Sequence, residues 1–226
     1  MSIARNLLTI QDRVRDAARK CDRNPAEIRL VAVTKTVERD MVEAAYAAGV
    51  RDFGENRVQD MRQKFEDPVG PDAVVHLIGH LQTNKARDAV RYCQIVESVD
   101  RTSLVDALQR RCEIEKKDLD ILLQINVAGE EQKHGCSPDD APALIEHLLQ
   151  QSRLRLRGLM TIAPLVDDPE TTRPVFAGLQ ELRDDLQRKY PEAPLDELSM
   201  GMTNDYWVAI EEGATMIRLG RAIFEG

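Results

Sequence analysis

The sequence predicts a single-domain (β/α)8 barrel with an additional N-terminal helix. Three observations predict it. Short apolar runs of strand length alternate with amphipathic helical segments, eight strands in all, along 226 residues, and that alternation is the order of βαβ units and a parallel sheet. Crossovers of one hand wind such a sheet in one direction, and eight repeats at this chain length close it into a barrel. No shift of composition marks a linker, so residues 1–226 read as one domain. An open doubly wound sheet is the alternative. No GxGxxG loop follows the first strand, which counts against the dinucleotide-binding form of that alternative.

The elements follow in order. Ile3, Leu7, Ile10, Val14, Ala17 and Cys21 recur at helical spacing and open the chain on an amphipathic helix. IRLVAVTK is the first strand, and VERDMVEAAYAAG a helix that ends at Gly49. DFGEN is a short second strand with RVQDMRQKF as its helix; VVHLIGH is the third, with a helix through NKARDAVRY. IVESVD is the fourth, before a long helix from Ser103 to Lys117. DILLQINV is the fifth, with a helix from about Pro138 to Gln151, and LRGLMTIA the sixth, with a helix from Glu170 to Tyr190. ELSMG is the seventh, followed by a helix through DYWVAIEEG, and TMIRLG is the eighth. No long helix follows the eighth strand, so the leading helix is expected to cover that part of the wall.

Composition narrows the function. At 42% hydrophobic residues the chain can bury a real core. A net charge of −8 argues against nucleic acid or an anionic membrane as the main partner, and 4% aromatics is too few for base-stacking platforms. One bound phosphate remains compatible, because backbone N–H groups hold anions in acidic proteins. The first twenty residues carry charges throughout and lack the apolar core of a signal peptide. No apolar run reaches membrane-spanning length. Cys21, Cys93, Cys112 and Cys136 are far apart and form no CxxC pair, so they read as reduced thiols of a cytoplasmic protein.

In a barrel of this kind the chemistry sits at the C-terminal ends of the strands. The polar residues there are Lys35, Asn56, His80, Asp100, Asn126, Thr161, Ser199 and Arg218. Alternation puts Val31, Val33 and Lys35 on one face of the first strand and Met216, Arg218 and Gly220 on one face of the eighth. Strands one and eight are neighbours in a closed barrel. Two cations facing one small cavity call for an anion between them. The segments SMGMTNDYW and RLGRAIF follow strands seven and eight, where such barrels often bind phosphate. Ser199 and Thr203 offer hydroxyls there, and Gly220 lets the backbone approach closely. An amine, an arginine and a phosphate site together suggest pyridoxal 5′-phosphate, whose aldehyde condenses with a lysine amine, helped when burial lowers the amine's pKa. An arginine at the pyridine nitrogen leaves it unprotonated and the electron sink weak.

At these residues the sequence resembles a known family. LVAVTKT, DFGENRVQD, HLIGHLQTNK, INVAGEEQKHG, LRGLMTIAP and LSMGMTNDYWVAIEEGATMIRLGRAIF, in that order and over nearly the whole chain, look like the pyridoxal phosphate homeostasis protein family. The resemblance implies that Lys35 is the Schiff-base lysine and that Asn56 stands beside the cofactor ring. It implies that Ser199 and Thr203, with the backbone at Gly220 and Arg221, form the phosphate cradle. Arg218 then faces the pyridine nitrogen, as in the barrel domain of alanine racemases. It further implies a protein of intracellular vitamin B6 balance without an agreed catalytic reaction, with apo forms of pyridoxal-phosphate enzymes as conceivable recipients. The chain departs from the family at Thr34, where serine is frequent, at Val75, where tryptophan is, and at the AIFEG end.

The rival reading is an amino-acid racemase, which needs a base on each face of the planar intermediate. Of the four tyrosines only Tyr206 falls near the expected mouth, and no sequence is left over for the additional β domain of alanine racemases. His76 and His80 stand four apart, but on a strand and without an HExxH glutamate, so no metal site is expected from them. The stretch GEEQKHG, with Lys133 and His134, reads as a loop after strand five; a lid over the cofactor is the alternative.

Overall fold

The eight strands close on themselves in sequence order, every neighbouring pair parallel, in a computed structural model that describes residues 2–130 and 134–225. They are β1 (Arg29–Val33), β2 (Asp52–Glu55), β3 (Val74–Leu77), β4 (Ile95–Val99), β5 (Leu119–Gln124), β6 (Leu154–Met160), β7 (Glu197–Ser199) and β8 (Met216–Leu219). The helices around them are α1 (Ile3–Lys20), α2 (Arg39–Ala47), α3 (Val58–Phe65), α4 (Ala86–Tyr92), α5 (Thr102–Glu115), α6 (Ala141–Leu149), α7 (Arg173–Lys189), α8 (Tyr206–Glu211) and α9 (Arg221–Phe224). Among the described residues no helix is long and apolar enough to cross a membrane.

The expected elements are all present, and the differences lie at their ends. β1 stops at Val33, so Lys35 sits in the turn beyond it. β5 and β6 likewise end before the polar residues at the tips of DILLQINV and LRGLMTIA. A strand loses its ladder where the backbone leaves the barrel wall, and apolar runs in the sequence continue past that point. The leading helix covers the gap after β8 as expected. α1 packs on α8 and α9, buries Leu7, Ile10, Val14 and Ala17, and Asn6 Nδ2 donates to the Ile223 carbonyl at 2.9 Å.

The main core lies between the strands and the helices, around Phe53, Leu77, Leu104, Leu108, Leu119 and Phe176. A second, small apolar cluster of Val31, Leu122, Met160 and Met216 fills the barrel axis. Gly54 makes room for it: a Cβ there would lie 3.0 Å from Val31 and 3.2 Å from Ile78. At the N-terminal end of the barrel Arg29 pairs with Glu197 at 3.1 Å and with Asp52 at 3.8 Å. The barrel is therefore a packed plug with charged ends, and the open volume is at the C-terminal mouth.

Candidate functional site

A cavity of about 380 Å³ occupies that mouth, lined by Lys35, Asn56, Thr203, Arg218, Gly220 and Arg221 among others. Residues from the ends of β1, β2, β7 and β8 thus converge on one space, as alternation along β1 and β8 requires: Val31 is the register partner of Arg218. Lys35 is exposed; the amine is open to solvent in this structure rather than desolvated. Its turn is anchored from below. Thr34 is buried, and its hydroxyl donates to Glu55 Oε1 at 2.6 Å. Lys64 Nζ donates both to that carboxylate at 2.8 Å and to the Thr34 carbonyl at 2.6 Å.

The turns after β7 and β8 form the opposite wall. Gly201 has φ +90°, a conformation that favours glycine, and a Cβ there would lie 2.6 Å from the Ala209 side chain. Asp205 Oδ1 accepts from the Met202 N–H at 2.5 Å and so fixes this turn. Burial pushes the Asp205 carboxyl up, against the pull of that backbone hydrogen bond and of Arg218. Among the described residues the backbone N–H groups of Thr203, Asn204, Gly220 and Arg221 donate to no other backbone group. These residues all line the cavity, and unspent N–H groups on two adjacent turns fit an anion such as a phosphate.

One expectation needs correction. Ser199 is fully buried and lies outside the cavity lining. Its hydroxyl donates to Glu97 Oε2 at 2.6 Å and accepts from Arg218 Nη1 at 2.6 Å, so it is spent inside the barrel. Glu97 Oε2 also stands 3.9 Å from the Arg218 guanidinium. Glu97 is the one charged residue within β4 (Ile95–Val99), on the face shared with Ile95.

Glu97 belongs to a buried line of polar groups along the barrel axis. Its Oε1 bonds His76 Nδ1 at 2.7 Å, and His76 Nε2 reaches Asp52 Oδ1 at 3.1 Å. Burial works against a charged imidazole, but the hydrogen bonds to Asp52 and Glu97 outweigh it and raise the His76 pKa to about 8. Burial likewise opposes charge on Glu97, and the His76 hydrogen bond, with His76, Arg218 and Ser199 around it, holds its pKa below the ordinary value. Arg218 completes the line. Nη2 donates to the Thr161 carbonyl at 2.7 Å, and burial lowers its pKa against the opposing pull of Glu97 and Asp205. Two acids and two cations thus balance, and the line ends with Arg218 at the cavity floor.

Of the other polar residues expected at the mouth, His80 lines the cavity and Asp100 sits beside it. Thr161 is buried with its hydroxyl on the Ile125 carbonyl at 2.8 Å, and Asn126 Nδ2 donates to the Glu130 carbonyl at 2.9 Å. Tyr206 is buried in the core and lines no part of the cavity. Lys133 lies outside the described residues. The sequence reading missed the cavity's apolar rim, Ile162, Pro164, Leu165 and Val166, which follows β6 and carries Leu165 at 85% exposure.

The family described as alanine racemase, N-terminal domain, matches residues 6–226. A pyridoxal phosphate homeostasis protein of Aquifex aeolicus is 39% identical, covering 99% of this chain and 98% of the relative. One from Pseudomonas aeruginosa is 41% identical over 99% and 95%. PipY of Synechococcus elongatus, solved without pyridoxal phosphate, superposes with TM-score 0.89 at 36% identity, covering 99% of this chain and all of PipY. The same protein solved with pyridoxal phosphate bound gives 0.85 at 35% identity over the same shares. With this barrel and these full-length matches, the chain belongs to the pyridoxal phosphate homeostasis protein family.

Proposed function

We propose that this chain binds pyridoxal 5′-phosphate as a Schiff base on Lys35 and acts in intracellular vitamin B6 homeostasis, holding or delivering the cofactor rather than turning over a substrate. The observation that carries the reading is one cavity with an exposed amine on one wall, unspent backbone N–H groups on the other and Arg218 at the floor. Bound there, the cofactor supplies an aldehyde for the amine and an electron-poor ring. Lys35 provides the nitrogen for the imine bond. Thr203, with the backbone at Gly220 and Arg221, holds the phosphate, and Asn56 stands beside the ring. Arg218 directs a donor to the pyridine nitrogen and keeps that nitrogen unprotonated. Ser199 acts one step back, by holding Arg218 and Glu97 in place. A whole-chain, single-domain binder is the unit of function, and apo pyridoxal-phosphate enzymes are the proposed recipients.

Borohydride reduction of the cofactor-loaded chain followed by peptide mapping tests the assignment. The pyridoxyl group is expected on Lys35, and a label on Lys85 instead overturns it. The non-enzymatic part has its own test. Tyr206, the tyrosine nearest the mouth in sequence, is walled off from the cavity, so no interconversion of alanine enantiomers is expected at enzymatic rates of about 1–10³ s⁻¹.

A further inference from the structure

Two imidazoles and a carboxylate meet at the rim of the cavity, apart from the residues assigned above. His80 follows β3, Asp100 follows β4 and His134 follows β5, so three successive strand ends contribute one side chain each. One ligand-competent atom from each lies within 4.8 Å of the other two. The two rings stack with centroids 3.9 Å apart and planes 15° from parallel.

The four histidines of the chain divide into two kinds. His76 bonds Glu97 and Asp52, and His147 bonds Asp106 at 2.7 Å. Those rings are fixed by carboxylates. His80 Nδ1 comes within 3.8 Å of Asp100 Oδ2, too far for a hydrogen bond. The His134 ring enters no hydrogen bond among the described residues; only its carbonyl is used, by Gln124 Nε2 at 3.0 Å. Asp100 spends Oδ1 on Arg101 at 2.5 Å and leaves Oδ2 toward the rings. The two imidazole rings without a hydrogen-bond partner among the described residues are therefore the two that stand beside a spare carboxylate oxygen.

We propose that His80, Asp100 and His134 bind a divalent transition-metal ion, with two imidazoles and one carboxylate as the protein ligands. This donor set suits zinc, cobalt or nickel and does not suit magnesium or calcium, which prefer oxygen ligands alone. Ligand bonds of about 2.0–2.2 Å ask for donor atoms near one another, and His80 Nδ1 already stands 3.8 Å from Asp100 Oδ2. Both rings are exposed, so sliding His134 off the stack breaks no hydrogen bond. Three protein ligands leave a fourth coordination position. A bound ion ties the segment after β5 to the ends of β3 and β4 at the cavity rim, since His80 and His134 both line the cavity. None of the three ligands is assigned to hold the cofactor, so the site stands whether or not Lys35 binds pyridoxal phosphate.

The test is cobalt titration of the untagged, cofactor-free full-length chain, followed by visible absorption. One ion per chain is expected, with d–d bands of nitrogen and oxygen ligation, no thiolate charge-transfer band, and displacement by zinc but not by magnesium. His134→Ala and His80→Ala, checked for fold by circular dichroism, are each expected to abolish the bands. No binding to the native chain, bands that persist in His134→Ala, or a thiolate band from Cys136 would each overturn the proposal.

Discussion

Arg218 is buried, and among the described residues Glu97 is the acid that pairs with its guanidinium. A buried ion pair adds little net stability, but removing one partner leaves an uncompensated charge that costs about 3–5 kcal/mol. Glu97→Gln is therefore expected to lower unfolding stability by about that amount, read from urea denaturation. Adding Arg218→Met in the same chain should recover part of the loss, because the two residues share one network. A Glu97→Gln cost near zero would mean that the carboxyl is not ionised. His76 makes the same network sensitive to pH. Its folded pKa of about 8 lies above the ordinary 6.5, so the native state binds the proton more tightly than the unfolded chain. The stabilisation it contributes is fully present below pH 6.5 and is lost as pH rises through about 8. The melting temperature should fall across that window, and His76→Gln should flatten the fall. At this scale the inward face of Arg218 was legible because alternation along β8 fixes it, while Lys35, Thr203 and Gly220 reach the cavity lining from turns just beyond the strand ends. The role of Ser199 was not legible, since one hydroxyl can serve a cavity or a buried carboxylate, and the sequence does not say which is nearer.

Among the elements, the turns carry more of the site than the strands do. Apolar runs located every strand, while the boundaries moved because the ladder can stop before the run does, as β6 stops at Met160 ahead of Ile162 and Ala163, and β1 stops at Val33, two residues short of Lys35. Lys35 therefore owes its position to the Thr34–Glu55–Lys64 anchor. That anchor was not readable, because Lys64 comes from a helix whose inward rotation depends on packing. The turn after β7 was readable as a glycine followed by capping residues, and its geometry explains the glycine. Gly201→Ala would force an L-residue into φ +90° and press a methyl group to 2.6 Å from Ala209. The backbone strain alone is of order 1–3 kcal/mol. The expected result is lower stability together with faster cofactor loss on dialysis, because Met202 and Thr203 line the cavity in the same turn. Lower stability with unchanged retention would place the phosphate away from this turn.

Over the whole molecule, closure was legible because eight alternating units leave a parallel sheet few other solutions. The leading helix packs on α8 and α9, beside the end of β8. That place links the N-terminus to the site: α1 packs on α9, and α9 begins with Arg221 at the cavity wall. Ile10 is 3% exposed at the centre of the α1 face. Ile10→Ala should cost about 2–5 kcal/mol through lost burial and the cavity left behind. Its further effect distinguishes a wall from a mere cover. If α1 sets the position of α9, the variant should release cofactor faster than the native chain under conditions where circular dichroism shows both folded. The distant Leu144→Ala, in α6 and equally buried at 3%, should lose comparable stability and keep its cofactor. Equal release from the two variants would mean that loosening the barrel anywhere loosens the site, and that α1 has no particular hold on the phosphate end.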